Sequence, residues 1–263
     1  MKIVVVGCGT TGNLIIPKLK GDITIIDRDI VEEKNLNRLI QFTKKDIEKP
    51  KAEILGKKCK LKYKIIDLDY SNVKILKSDL VIDCTDNMET RFLINEYCIK
   101  KNIPWIYIGV IGNQGRTLLF NQDFCFRCIF SEVKGLETCE TAGVDMNIVE
   151  KTCNVALEEI SKMKSRGLWA NGEWIKVRKN KNCPVCNGKF EILKGKREKI
   201  VKYCGSSRYQ FNGNYDFELL KKRFKKKGDW FVVDDFYVFR ERILVKAKDE
   251  KEAKLKLSKF IGV

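Results

Sequence analysis

The chain begins with an apolar segment that runs directly into three closely spaced glycines. Lys2–Val6 is almost continuously apolar, and residues 7–12 read Gly-Cys-Gly-Thr-Thr-Gly. Continuous apolar character is typical of a parallel strand that is buried on both faces. Glycines directly after such a strand allow a tight turn into a helix whose N-terminus attracts phosphate. The pattern therefore predicts a strand–turn–helix unit with a nucleotide site at the turn.

Similar units follow along the chain. Residues 23–27, 62–69, 78–85 and 104–110 are apolar segments of strand length, and residues 11–20 and 87–101 have helical character. Strands that alternate with helices indicate a parallel sheet with helices on both faces, and such sheets bind ligands beyond the carboxyl ends of their strands. We expect an α/β fold with a doubly wound, mainly parallel sheet.

The character of the sequence changes after residue 120. Helical spacing covers residues 142–166, 216–227 and 249–260, and strand-like segments cover 230–240 and 243–246. We predict two domains: residues 1–194 form the nucleotide-binding domain, and residues 195–263 form a small, basic α+β appendage.

Composition excludes several kinds of chemistry. The chain has 263 residues and no histidine, which rules out Ser-His-Asp and Cys-His pairs and histidine-ligated metals. The formal charge is +17, of which residues 1–150 contribute +2 and residues 151–263 contribute +15. The basic half is either a solvated, lysine-rich surface or a patch for nucleic acid or another acidic partner.

Eleven cysteines occur in a sequence without a secretory signal or an apolar run of membrane-spanning length. This combination predicts a cytoplasmic protein with reduced thiols and no membrane association. Cysteine pairs at short spacing then indicate metal binding or catalysis before disulfides.

Several charged residues accompany the predicted strand ends. Asp27 lies twenty residues after Gly7, where a carboxylate would accept hydrogen bonds from ribose hydroxyls. Arg38, Lys51 and Asp86 supply two cations and a carboxylate, which suit the cleavage of a triphosphate held with Mg²⁺. Each of these charges taken alone is also consistent with a solvated loop.

Five spaced motifs occur in a recognisable order. They read Gly-x-Gly-x-x-Gly, Asp-x-Asp-x-Val, Asn-Leu-x-Arg, Lys-x-Glu and Thr-Asp-Asn-x-x-x-Arg. Over residues 1–188 the sequence resembles the ThiF/MoeB/HesA family, the prokaryotic relatives of ubiquitin-activating enzymes. The resemblance implies a Rossmann-like fold, a homodimer, and adenylation by ATP and Mg²⁺ of the C-terminal glycine of a ubiquitin-like sulfur-carrier protein ending in Gly-Gly.

The resemblance also implies roles for individual residues. The nucleotide loop would comprise Gly7, Gly9, Thr10 and Gly12, and Asp27 would hold the ribose. The phosphates would contact Asn35, Arg38 and Lys51. Asp86 would bind the metal ion, and Asn87 would lie beside the nucleotide. The reaction is in-line attack of a carboxylate on the α-phosphorus, with pyrophosphate leaving. It needs no general base because a carboxylate is ionised at neutral pH.

Two Cys-x-x-Cys pairs form a second candidate site, at Cys125 and Cys128 and at Cys183 and Cys186. Four thiolates satisfy a closed, tetrahedral, structural Zn²⁺ site. The family places its zinc pairs in this manner. The alternatives are four reduced, buried cysteines or redox pairs.

Cys139 is a candidate acyl acceptor, since the family carries a cysteine on a loop that crosses the adenylate. Glu137 and Glu140 flank it and would raise the pKa of its thiol. The sequence departs from the family pattern at Thr10, usually glycine, and at Leu39, usually glutamine. It also starts at the first strand, so the N-terminal arm that sends an arginine into a partner subunit is in doubt.

Three other functions stay open at this stage. Some relatives activate a carboxylate on modified tRNA, and the basic second half suits a phosphate backbone. A non-catalytic nucleotide-binding scaffold would not need Arg38, Lys51 and Asp86 together. An NAD-dependent oxidoreductase would explain the glycine turn and Asp27 but not the later motifs.

Overall fold

The computed structural model describes residues 1–130, 144–195, 200–202, 208–211 and 215–261. The chain divides into two compact units, Met1–Gly195 and Lys196–Val263. In the part of the chain that is described, no helix combines the length and the apolar character needed to cross a membrane.

The first unit contains an eight-stranded mixed sheet. Its strands are β1 Lys2–Val6, β2 Asp22–Ile26, β3 Lys62–Lys64, β4 Leu80–Asp83, β5 Trp105–Ile111, β6 Gln114–Phe120, β7 Leu168–Ala170 and β8 Glu173–Ile175. Their order across the sheet is β3-β2-β1-β4-β5-β6-β7-β8. Neighbours from β3 to β5 pair in parallel, and those from β5 to β8 pair antiparallel.

Helices cover both faces of this sheet. They are α1 Thr10–Ile15, α2 Lys51–Cys59, α3 Met88–Lys101, α4 Phe126–Ile129 and α5 Met146–Lys162. One apolar core joins α1, α2 and α5 to one face, and a second core joins α3 and α4 to the other. The α/β prediction is thus confirmed in the form of a mixed sheet. Strand β6 was not predicted, and it begins the antiparallel part of the sheet that β7 and β8 continue.

Several predicted elements are shorter than their sequence patterns. The strand predicted over 62–69 ends at Lys64, and Asp69 then accepts hydrogen bonds from the backbone N–H groups of Ser71 and Asn72 in a turn. The helix predicted over 11–20 gives way to a 3₁₀ turn at Ile16–Lys18, which contains Pro17. Of the helix predicted over 142–166, residues 146–162 are helical, and residues 142 and 143 lie outside the described residues.

The chain reverses its direction across the sheet beside β1. From β1 it proceeds to β2 and β3 on one side, and it then crosses to β4 on the other side of β1. Such a reversal leaves a crevice beyond the carboxyl ends of the two central strands. The turns after β1 and β4 face this crevice, so the fold itself specifies where a ligand binds.

The turn after β1 packs tightly against the turn after β4. Gly7 has φ +99°, and a Cβ atom there would lie 2.6 Å from the Cys84 carbonyl oxygen. A Cβ atom at Gly12, in α1, would lie 2.0 Å from the Gly7 carbonyl oxygen. Gly9 differs, because a Cβ atom at this position would meet no protein atom within 4 Å. Two glycines are therefore required by the protein itself, and the third leaves open space.

The second unit is a two-layer α+β structure. Its strands and helices are β9 Ile200–Lys202, β10 Arg208–Phe211, α6 Phe217–Arg223, β11 Trp230–Val233, β12 Phe236–Phe239, β13 Ile243–Lys246 and α7 Glu250–Ile261. The sheet order is β11-β12-β13-β10-β9, with antiparallel neighbours throughout. The prediction of one strand over 230–240 is wrong, because Asp234 adopts φ +48° in a turn that splits it into a hairpin.

We expect Gly12→Ala to lower the free energy of unfolding by about 2 kcal/mol or more, because its methyl group overlaps the Gly7 carbonyl oxygen. Gly9→Ala is the matched control, since Gly9 has φ −71° and open space around it. The control should change stability by less than about 1 kcal/mol. Urea unfolding followed by circular dichroism measures both, and equal losses would contradict the packing described here.

Candidate functional site

A solvent-open cleft of about 950 Å³ lies beyond the carboxyl ends of the central strands of the first unit. The cleft is lined by nine residues that the sequence singled out, namely Gly7, Gly9, Thr10, Asp27, Asn35, Arg38, Lys51, Asp86 and Asn87. Gly12 lies beneath the turn as a packing residue. The fold thus brings motifs that are far apart in sequence to one place.

Asp27 is a buried carboxylate that organises the glycine turn. Its Oδ2 atom accepts a hydrogen bond from the Cys8 backbone N–H at 2.5 Å, and its Oδ1 atom accepts one from the Asp29 N–H at 2.5 Å. Burial, reinforced by the charge of Asp29, raises the pKa of Asp27 to about 6. Asp27 is therefore ionised at neutral pH but close enough to titration to respond to mild acid.

Lys51 is the first residue of α2 and is buried in the cleft wall. Its Nζ atom lies 3.1 Å from Oδ2 of Asp29. Burial alone would lower the pKa of Lys51, but the carboxylates of Asp29 and Asp27 outweigh it and raise the pKa above its ordinary value. Lys51 is therefore a permanent cation beside the glycine turn.

Arg38 supplies a second cation on the same rim. It lies at the end of the 3₁₀ turn Glu33–Arg38, and its Nη2 atom donates to Oδ1 of Asn35 at 2.9 Å. Asn35 is itself buried. The hydrogen bond fixes the guanidinium group against the cleft, so both predicted phosphate contacts on this turn point to one site.

The loop after β4 carries Asp86 and Asn87. Asp86 is exposed at the cleft, while Oδ1 of Asn87 accepts a hydrogen bond from the Thr90 N–H at 2.8 Å and caps α3. One turn later, the buried Arg91 also lines the cleft. Asp86 is thus an exposed carboxylate that lines the same cleft as the two cations.

Sequence reasoning assigned no role to several residues of the cleft. Arg28 donates to both carboxylate oxygens of the buried Asp67 at 3.3 Å. A signal was available for part of this set, because residues 66–68 follow the carboxyl end of β3. The unassigned lining residues include Arg28, Asp29, Ile66, Asp67, Leu68, Thr90, Arg91 and Val144.

The four predicted zinc ligands meet in a second place. The Sγ atoms of Cys125, Cys128, Cys183 and Cys186 all lie within 4.8 Å of one another. The Sγ–Sγ distances are 3.9 Å for Cys125–Cys128 and 3.5 Å for both Cys125–Cys183 and Cys128–Cys186. A tetrahedral zinc ion with Zn–S bonds of about 2.3 Å requires sulfur atoms about 3.8 Å apart. The cluster therefore has the dimensions of a closed zinc site.

These cysteines connect parts of the chain that are distant in sequence. Cys125 precedes α4, and the Cys128 N–H donates to the Cys125 carbonyl at 2.9 Å, so the first pair forms a compact knuckle. The 3₁₀ turn Val185–Asn187 carries the end of the second pair. Cys139, the predicted acyl acceptor, lies outside the described residues.

Comparisons with known proteins identify relatives of most of the first unit. The ThiF family profile matches residues 1–177. The SAMP-activating enzyme E1 of Haloferax volcanii is 30% identical in an alignment that covers 70% of this chain and 80% of that protein. The sulfur carrier protein ThiS adenylyltransferase of Bacillus subtilis is 27% identical in an alignment that covers 86% of this chain and 78% of that protein.

A solved structure shares the fold. The crystal structure of Escherichia coli MccB with ATP matches with a TM-score of 0.61 at 19% identity, over 71% of this chain and 67% of that chain. At this level of identity, the likeness concerns the fold alone. The profile match, by contrast, covers more than half of the chain and includes every cleft motif. The chain therefore belongs to the ThiF family.

Proposed function

We propose that this chain uses ATP to adenylate the C-terminal glycine carboxylate of a ubiquitin-like sulfur-carrier protein and releases pyrophosphate. One observation carries the proposal: the glycine turn, the cations Arg38 and Lys51, and the carboxylates Asp27 and Asp86 all line a single cleft. The relatives' names support it, because they describe a SAMP-activating enzyme and a ThiS adenylyltransferase.

In this proposal the nucleotide lies in the cleft, along the residues that line it. The open space above Gly9 admits a phosphate close to the backbone, and Asp27 accepts hydrogen bonds from the ribose. Lys51 and Arg38 face the triphosphate and stabilise the charge that develops as pyrophosphate leaves. Asn35 orients Arg38, since it accepts the guanidinium hydrogen bond.

Magnesium fits the remaining carboxylate. Mg²⁺ is usually held through one or two carboxylates together with substrate phosphates. Asp86 offers such a carboxylate at the exposed rim of the cleft. When bound, Mg²⁺ neutralises phosphate charge. The attacking carboxylate needs no base, which is consistent with a chain that contains no histidine.

We assign the four-cysteine cluster to a structural zinc ion. Four thiolates complete a tetrahedral shell and leave no open coordination position, so the ion would stabilise the fold and take no part in the reaction. It would hold the segment after β6 against the segment around residue 185.

A second candidate substrate is a carboxylate on modified tRNA. Residues 221–227 contain six cations, and the side chains of Lys222, Lys225, Lys226 and Lys227 are exposed. Such a segment suits a phosphate backbone. The two candidates are distinguished by whether ATP–pyrophosphate exchange requires the carrier protein or the tRNA. A homodimer, a cytoplasmic location and an acyl acceptor at Cys139 stay predictions.

Asp86→Ala should abolish ATP–pyrophosphate exchange that depends on a Gly-Gly carrier, with a loss of about 100-fold or more, because the metal loses its protein ligand. Glu89→Ala is the matched control, since Glu89 is an exposed carboxylate three residues further on, outside the cleft lining. The control should exchange at the wild-type rate. Full exchange by Asp86→Ala would overturn the metal assignment, and exchange with tRNA but no carrier protein would favour the second substrate.

Adenosine affinity should fall as the pH drops through about 6, because Asp27 is then protonated and accepts ribose hydrogen bonds less well. Adenosine is the better probe than ATP because it has no phosphate that titrates near pH 6. The affinity for adenosine is measured by competition titration in a calorimeter, at a series of pH values from 7.5 to 5. Asp27→Asn should bind weakly with a flat profile, and a flat wild-type profile would remove Asp27 from the ribose site.

Purified chain should contain one zinc ion, and Cys183→Ser should lose it and melt about 10 °C lower, because the metal contributes to folding. Cys59→Ser serves as the control, since Cys59 lies outside the cluster. Elemental analysis and differential scanning calorimetry provide the two readouts. Zinc-free protein with an unchanged melting temperature would show four reduced thiols instead.

A further inference from the structure

The backbone on both sides of Asp86 is fixed by side chains of β4 and α3. Before it, Oδ1 of Asp83 accepts hydrogen bonds from the Thr85 N–H at 2.9 Å and from the Thr85 hydroxyl at 2.7 Å. After it, Asn87 caps α3 through the Thr90 N–H. Asp86 therefore lies between two residues, Thr85 and Asn87, that are both held by hydrogen bonds.

Arg91 closes the same loop from the helix. Its Nη2 atom donates to the Thr85 carbonyl, and its Nε atom lies 3.5 Å from Oδ2 of Asp83. The guanidinium group also lies 4.9 Å from the centre of the Tyr107 ring. Thr85 is therefore held by two side chains: Asp83 accepts from its N–H and its hydroxyl, and Arg91 donates to its carbonyl.

The Asp83–Arg91 pair is buried. The side chain of Asp83 is 0% exposed and that of Arg91 is 7% exposed. A buried ion pair is a weak source of stability compared with an apolar pair of the same size, but it can specify a local geometry. Here the geometry specified is that of the loop bearing Asp86.

The loop is also tied to the glycine turn. The Cys84 N–H donates to the Val6 carbonyl at 2.8 Å, and Gly7 packs against the Cys84 carbonyl. The carboxylate of Asp86 is thereby placed relative to the proposed phosphate site. Asp83 itself lies outside the cleft lining, so any effect that it has on a ligand must pass through its neighbours.

We propose that Asp83 and Arg91 are positioning residues that hold the Asp86 carboxylate in place for the magnesium ion of Mg·ATP. This inference rests on the proposed function. It has a specific consequence: breaking the pair at Asp83, which lies outside the cleft lining, weakens the contribution of Mg²⁺ to ATP binding and leaves the binding of ATP without Mg²⁺ almost unchanged. A merely structural pair would affect both in parallel.

The test is titration calorimetry of ATP binding with and without Mg²⁺, on wild type, Asp83→Asn and Arg91→Lys. Asp83→Asn keeps the side-chain volume and an acceptor oxygen but removes the charge that faces Arg91. It should reduce the gain in affinity from Mg²⁺ by about tenfold or more, as for other residues that orient metal ligands. Mg-free affinity should stay within about twofold of wild type. Arg91→Lys keeps the positive charge but loses the planar guanidinium group, so it should lose part of the gain in ATP affinity that Mg²⁺ provides.

Glu96→Gln is the matched control on the same helix. Glu96 is buried, and its carboxylate accepts hydrogen bonds from the backbone N–H groups of Glu191 and Leu193, away from the cleft. It should lower the melting temperature without changing the gain from Mg²⁺.

Three results would overturn the inference in distinguishable ways. Parallel losses of Mg-free and Mg-dependent affinity in Asp83→Asn, with a normal wild type, would make the pair structural and leave the proposed function standing. Wild-type protein that binds ATP but gains no affinity from Mg²⁺ would remove the magnesium assignment of Asp86, and the positioning role with it. Wild-type protein that binds no ATP, with or without Mg²⁺, would remove the proposed function itself.

Discussion

The structure depends on one close contact between two backbone turns. The turn after β1 and the turn after β4 meet where Gly7 packs on the Cys84 carbonyl, and no side chain fits between them. The contact is possible because β1 and β4 are neighbouring parallel strands whose carboxyl ends lie at the same edge. It brings the glycine turn beside the loop that carries Asp86. Everything proposed for the nucleotide follows from this adjacency.

Charge pairs complete the cleft around that contact. Lys51 is held by Asp29, and Arg28 is held by Asp67, so the buried walls carry compensated charges. Buried charges persist only when they are paired or hydrogen-bonded. Lys51 and Arg38 both line the cleft and supply positive charge to it, and Asp86 is exposed at its rim. The cleft is thus preorganised for an anionic ligand and its metal.

The sequence predicted much of this arrangement because the relevant signals are local. A continuous apolar segment followed by glycines, and Cys-x-x-Cys pairs, are visible within a few residues. Strand β6 could not be predicted, since its pairing depends on partners supplied by tertiary packing. The hairpin in 230–240 escaped because Asp234, which turns the chain, lies in an otherwise strand-like run. The Arg28–Asp67 and Asp83–Arg91 pairs join separate elements, so no local spacing in the sequence predicts them.

The proposed function depends on the transfer of AMP to a terminal carboxylate in the cleft. Mass spectrometry of a Gly-Gly carrier protein, after incubation with this chain, ATP and Mg²⁺, detects this transfer. We expect a carrier heavier by one AMP, formed together with pyrophosphate, and no product on a carrier whose terminal carboxylate is blocked as an amide. A carrier that remains unmodified, or that is modified while ADP is released, would contradict it.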